Sequence, residues 1–300
     1  MGNLLKNIHE LGDNHQTIKG AFFMALGFFC YATISALFKS VEQEYSMLQV
    51  VFFRSLFALV PYSVALHMTG RWDALNNPPL IQHILRAIVG VIGLSCLFRS
   101  LSLLPLADAT VLTFTISLFM VLLSMPLLRE RISTRNFLAI IVGFLGVIIV
   151  SNPTGGGNII GYASGLCFGL FEAFVILKGR MMTRTNSNGA IVFYYALLSA
   201  VICGVFLPFV WVTPTLKDWL ILIILGLGGG LGQYLVTIAS RYAHAGVLGP
   251  MTYTMMLWSL MYGYFLFEEV PQFNVWLGGT FVILSGLYVV NYERKSSQRA

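Results

Sequence analysis

The feature that most constrains this chain is a succession of long apolar runs with only short polar breaks between them. A hydrocarbon layer about 30 Å thick takes roughly 20 apolar residues per helical crossing. Ten such runs read off at 20–38, 47–67, 84–102, 106–127, 136–151, 159–177, 189–211, 218–239, 246–267 and 273–291. Composition agrees. Of 300 residues, 57% are hydrophobic and 10% charged, with a mean hydropathy of +0.79, whereas soluble domains carry about 25% charged residues. The sequence therefore predicts an all-α integral membrane protein of ten transmembrane helices and excludes a soluble globular fold.

The net charge of +6 does not point to nucleic acid, because the basic residues lie singly or in threes between apolar runs and form no dense block. They read as topology signals, since cytoplasmic loops retain Lys and Arg. With the N-terminus inside, the inner segments hold Lys6, Lys19, Arg71, Arg86, Arg129, Arg131, Arg135, Lys178, Arg180, Arg184, Arg241, Arg294, Lys295 and Arg299. The outer side holds only Lys39, Arg99 and Lys217, and Arg54 falls within a span. Both termini are then cytoplasmic in a multi-pass protein of the cell inner membrane. Residues 1–19 are polar and lack a continuous apolar region, so they read as a cytoplasmic tail and not as a cleavable signal peptide. Cys30, Cys96, Cys167 and Cys203 each sit inside an apolar run without metal-ligand spacing, as small buried hydrophobes do.

The break at 151–158 (SNPTGGGN) combines a proline with three glycines near the midpoint of the chain. It divides the sequence into a five-helix unit at 20–151 and a second at 159–291, followed by a cytoplasmic tail at 292–300. Sliding the halves by 138 positions matches Ser102 with Ser240, Ala107 with Ala245, Glu130 with Glu268 and Asn136 with Asn274. A shift of 141 places Gly20 on Gly161, Ala32 on Ala173 and Lys39 on Arg180. An odd number of spans per unit inverts the second copy, and inverted repeats with a site near mid-membrane recur in secondary transporters.

LPLADA at 104–109, LLRERIS at 127–133 and GFLGVIIV at 143–150, within these paired halves, resemble an EamA-type member of the drug/metabolite transporter superfamily. The resemblance covers nearly the whole chain and implies two inverted five-helix repeats around a central cavity used in alternating access. VFFRSLF at 51–57 and HILRAIVG at 83–90 resemble more narrowly the bacterial members regarded as S-adenosylmethionine importers, and riboflavin importers of the family are similar too. The second copy departs from the first in having Gly246 where the 138 shift expects the counterpart of Asp108.

Charges inside a bilayer are costly and normally face a cavity or a partner. Glu172 lies near the middle of the sixth span, either as a carboxylate that exchanges a proton or meets a cationic substrate, or as a neutral acid bonded to a neighbouring helix. Arg54 and Arg99 lie in the outer parts of the second and third spans, and Asp108 at the outer start of the fourth. Convergence of the three predicts an outer gate of Asp108 with one arginine, here Arg99, leaving the other to hold an anionic group; the plainer reading is an ion pair with snorkelling arginines. Thr110, Thr113, Ser117 and Ser124 share one face of the fourth span. The 138 shift sets them opposite Leu248, Met251, Met255 and Tyr262, with Trp258 beside them. A polar stripe facing a polarizable, aromatic wall suits a planar ring or a sulfonium cation, and the same residues also serve plain helix contacts.

The expected substrate-binding residues are thus Glu172, Arg54, Arg99, Thr113, Ser117, Met255, Trp258 and Tyr262. Secondary active transport of a small organic metabolite is the leading function, with S-adenosylmethionine or a similar nucleoside-like or vitamin substrate implied by the resemblance and a proton as a coupling ion. Export of amino acids or drugs on the same scaffold is the alternative. No cofactor, metal or catalytic residue is expected. The glycine series at 161, 165 and 169 and at 226–232 completes no dinucleotide pattern and no phosphate loop. A lipid-modifying enzyme would need a catalytic constellation, and His67, His83 and His244 all lie near the inner loops.

Overall fold

A computed structural model describes residues 2–41, 44–70, 72–76, 80–128, 134–151, 158–182, 186–242, 251 and 253–297. Every regular element among them is helical. These are α1 (Gly2–Val41), α2 (Met47–Thr69), α3 (Leu80–Leu103), α4 (Leu106–Thr113), α5 (Thr115–Leu128), α6 (Thr134–Ser151), α7 (Ile159–Met182), α8 (Asn188–Phe206), α9 (Leu216–Tyr242), α10 (Thr254–Phe267) and α11 (Phe273–Ser297), with short 3₁₀ turns at Trp72–Leu75 and Leu207–Phe209. Seven helical stretches are long and apolar enough to cross a membrane, α4 and α5 counting as one; three shorter apolar helices lie at Phe137–Val150, Thr254–Phe267 and Phe273–Tyr288.

Local chemistry sets several boundaries. Ser46 and Ser187 cap α2 and α8, each accepting from the backbone N–H three residues on, Gln49 and Ala190, at 3.2 Å, as N-cap serines do. Gly70 ends α2 in the left-handed region at φ 61° and donates to the His67 carbonyl at 3.1 Å, a conformation open to glycine because it lacks Cβ.

The stretch 106–127, expected as one helix, is interrupted at Phe114. Its N–H turns to the Val111 carbonyl three residues back, and the Thr115 hydroxyl donates to Leu112 O at 2.6 Å. The start of α10 repeats this chemistry, for Thr254 donates to Met251 O at 2.7 Å beside Tyr253. LTFT at 112–115 therefore matches MTYT at 251–254. The register between these helices is 139 and not 138, and the rings of Phe114 and Tyr253 meet edge to face at 5.0 Å.

Eight helices close a ring in the order α1, α10, α4, α7, α3, α8, α2, α9 and back to α1, while α6 pairs with α11 outside it. Exchanging first-half helices for their second-half counterparts (α1 with α7, α2 with α8, α3 with α9, α4 with α10) maps this ring onto itself. Glycines permit the tightest approaches. A methyl group at Gly146 would lie 2.6 Å from the Gly278 carbonyl oxygen, and one at Gly226 would lie 2.9 Å from the Phe53 carbonyl oxygen; small residues on a stripe bring helices close in this way. Phe38 stacks on Phe98 at 4.2 Å in the buried core.

Candidate functional site

Charged and phenolic side chains on ring helices from both halves come within electrostatic reach of one another. Arg54 stands on α2 and Arg86 on α3; Glu172 stands on α7 and Tyr195 on α8. Glu172 is within electrostatic reach of both arginines, and Tyr31 and Tyr195 are within reach of Arg54 and Glu172. Tyr62, on the same helix as Arg54, is coupled to both arginines. The Tyr31 hydroxyl donates to Gln233 Oε1 at 2.8 Å, tying α1 to α9.

The two arginines do different work. Arg86 is buried, donates from Nε to the Val175 carbonyl and from Nη1 to the Ile191 carbonyl, both at 3.1 Å, and lies 4.5 Å over the Tyr195 ring. It pins α3 to α7 and α8, and its stack adds a cation–π contact. Its position near the start of α3 led the sequence reading to count it with the inner-loop cations. Arg54 and Glu172, in contrast, are only half-buried and make no hydrogen bond or ion pair among the described residues. A charge at mid-helix costs on the order of 2.5–3.5 kcal/mol on insertion scales, so two such charges without a direct partner among the described residues are the candidates for a functional role.

The other expected residues divide. Tyr262 shares a hydrogen bond of 2.8 Å with Thr33, and Trp258 packs edge to face on Phe29 at 4.9 Å, so both line the seam of α1 with α10. Met255 is buried in α10. Thr113 donates to the Thr110 carbonyl and Ser117 to the Phe114 carbonyl, while Thr110 reaches across to Ser259 at 2.8 Å. Hydroxyls from this stripe thus satisfy backbone groups around the helix break and link α4 to α10.

The expected gate of Asp108 with Arg99 does not form. Arg99 is exposed near the end of α3, where a long cationic chain reaches polar surroundings, and Asp108 is buried and accepts from the Tyr162 hydroxyl at 2.6 Å. Arg99 is likewise outside the central group. The polar fastening at this end of the bundle uses residues the sequence reading left out. Lys39 pairs with Glu269 at 2.5 Å and donates to the Leu104 carbonyl at 2.7 Å, while the second Glu269 oxygen accepts from the Leu106 N–H at 2.7 Å. Glu269, and not the Glu268 paired with Glu130 above, is the anchoring carboxylate; Glu130 lies outside the described residues. Tyr31, Tyr62 and Tyr195 were also missed, although the 141 shift sets Tyr31 on Glu172 and Arg54 on Tyr195 and would have flagged two of them.

Several apolar helices long enough to cross a membrane, packed into one helical bundle, define a polytopic membrane protein. The EamA-like transporter family model matches residues 18–152 and again 159–292, and the chain belongs to that family. It is a membrane transporter of the kind that moves small metabolites. An S-adenosylmethionine uptake transporter of Rickettsia bellii is 26% identical over 286 residues, covering 93% of this chain and 97% of that protein. A pseudopaline exporter of Pseudomonas aeruginosa is 25% identical over 271 residues, covering 89% and 94%. An uncharacterized transporter of Helicobacter pylori is 24% identical over 287 residues, covering 90% and 94%. A crystal structure at 19% identity superposes with a TM-score of 0.62 over 94% of this chain and 98% of its own, which speaks to the fold.

Proposed function

We propose that this protein is a secondary active transporter that carries a small organic metabolite by alternating access between two inverted five-helix repeats, ten crossings in all, with both termini cytoplasmic in the cell inner membrane. One observation carries the reading: Arg54 from the first half and Glu172 from the second set opposite charges within electrostatic reach of each other, and neither has a direct partner among the described residues. Arg54 receives the anionic part of the substrate and Glu172 its cationic part or a coupling proton. Thr113, Ser117, Met255, Trp258 and Tyr262 serve as the flanking wall, where aromatic faces suit a ring or a sulfonium. S-adenosylmethionine, the substrate named for the Rickettsia relative, carries both features. Export is the second reading, favoured by the pseudopaline exporter among the relatives.

Counterflow in proteoliposomes loaded with S-adenosylmethionine, riboflavin or amino acids tests the assignment. Saturable exchange of one of them is expected, and absence of flux for every compound under every imposed gradient removes the carrier reading. Glu172→Gln separates the two roles of that carboxylate. If it carries the proton, the variant retains exchange but loses gradient-driven accumulation; if it holds the substrate, both fall together.

A further inference from the structure

The four central side chains occupy matched positions in the two halves. The serine caps of α2 and α8 lie 141 residues apart and work identically, and that shift sets Arg54 opposite Tyr195. The same shift between α1 and α7 sets Tyr31 opposite Glu172. The glycines facing them repeat as well. A methyl group at Gly90 would collide with the Tyr195 hydroxyl, and one at Gly229 would lie 3.5 Å from Arg54 Nε. One at Gly93 would lie 3.1 Å from Phe171 Cβ, and one at Gly232 would lie 3.3 Å from Cys30 Cβ, each the residue before a matched position. Gly90 and Gly93 are to α3 what Gly229 and Gly232 are to α9, both 139 residues apart.

Each matched pair therefore holds one tyrosine and one charge. The charges are opposite in sign and sit in opposite halves. Arg86 is also within electrostatic reach of Glu172, but its guanidinium donates to two carbonyls and stacks on the Tyr195 ring, and it gives Glu172 no hydrogen bond. A ligand with only a cationic group leaves Arg54 unanswered, and one with only an anionic group leaves the Glu172 oxygens without a donor; a polar group left unpaired inside the bundle is the costly case.

We propose that the substrate is bipolar, bringing an anionic group to Arg54 and a cationic group to Glu172, and that the exchange of charge for tyrosine at the pairs Arg54/Tyr195 and Tyr31/Glu172 sets the direction in which it lies across the pseudo-two-fold axis. This rests on the carrier reading above. The polarity belongs to the arrangement of the four positions and not to either half alone, so moving both charges to their matched positions reverses it, Arg86 alone staying unmirrored because its counterpart at the 139 shift is Leu225.

The test uses the purified full chain in proteoliposomes. Counterflow is measured for bipolar probes (S-adenosylmethionine, free amino acids), a cationic one (decarboxylated S-adenosylmethionine), an anionic one (glutarate) and a neutral one (riboflavin). Flux is expected for a bipolar probe alone. Arg54→Gln should weaken its apparent affinity by about thirtyfold, the low end for truncating one partner of a desolvated charge pair. The variant carrying Tyr31→Glu, Arg54→Tyr, Glu172→Tyr and Tyr195→Arg should recover affinity relative to either half exchange (Tyr31→Glu with Glu172→Tyr, or Arg54→Tyr with Tyr195→Arg). Transport of only the cationic, anionic or neutral probes overturns the proposal while leaving the carrier reading intact, and absence of all flux removes both. A monodisperse full exchange no better than the half exchanges overturns the assignment of the four positions. If that variant does not fold, an Arg54→Gln protein that binds the bipolar probe as tightly as wild type overturns it.

Discussion

At Gly90 a single hydrogen decides where Tyr195 stands. The added methyl of Gly90→Ala would meet the tyrosine hydroxyl at the far end of its side chain, so the ring swings aside and the helix survives. Arg86 then loses the face it covers at 4.5 Å, worth about 0.5–2 kcal/mol for a partly desolvated cation–π contact. A folded Gly90→Ala protein with transport lowered severalfold is the expected outcome. A fully active variant would mean that Tyr195 takes no part in the site. Lys39 and Glu269 offer a contrasting case, because their ion pair sits among backbone groups and not beside the central charges. Glu269→Gln removes the charge opposite Lys39 while the Leu106 N–H keeps an oxygen acceptor, and a loss of about 1–3 kcal/mol is expected for a charge-assisted contact. Thermal unfolding in detergent checks it, with Lys39→Gln expected to fall by a similar amount and the double variant by less than the sum of the two.

Among the elements, α6 and α11 cross where Gly146 and Gly278 face each other backbone to backbone. A side chain at either position must part the helices, since a carbonyl oxygen cannot swing away as a tyrosine ring does. Gly278→Leu is expected to destabilise the bundle by about 1–3 kcal/mol, the usual overpacking cost, read as a lowered unfolding midpoint, with transport per folded molecule unchanged because this pair lies outside the ring. The break at Phe114 shows why helix periodicity alone was insufficient. An apolar run reads as continuous whether or not one residue turns its N–H to the third carbonyl back, and that choice follows from a threonine hydroxyl returning to the backbone. Matching LTFT with MTYT exposes the equivalence, but a slide of 138 steps over it by one residue, and on a helix one residue turns the face by about 100°.

At the scale of the whole molecule, eight helices form a ring that half-exchange leaves unchanged, and the orientation proposed for it rests on where the cations lie. Reporter tags at the two ends are expected to be accessible from the cytoplasm and shielded from outside; tags on opposite sides would break the proposed topology. Much of this was written along the chain. The apolar runs, the proline- and glycine-rich break in the sequence at 151–158, the cation asymmetry and a carboxylate, Glu172, within a span are local features, and a linear sequence displays them directly. Which charges meet is another matter. Arg99 and Asp108 lie close in sequence and on neighbouring spans, yet one is exposed and the other answers Tyr162. Arg86, near a loop by position, is folded inward onto two carbonyls. Helix rotation and the glycine-set distance between helices decide such encounters, and both depend on packing partners far along the chain. The sequence alone thus determined a helical membrane protein with related halves, because burial of apolar segments is a property of each segment. That Arg54 and Glu172 come within electrostatic reach of each other from the two halves, and that Lys39 pairs with Glu269 at the end of the bundle, came only from the tertiary structure, because relative rotation and depth are properties of the assembled helices.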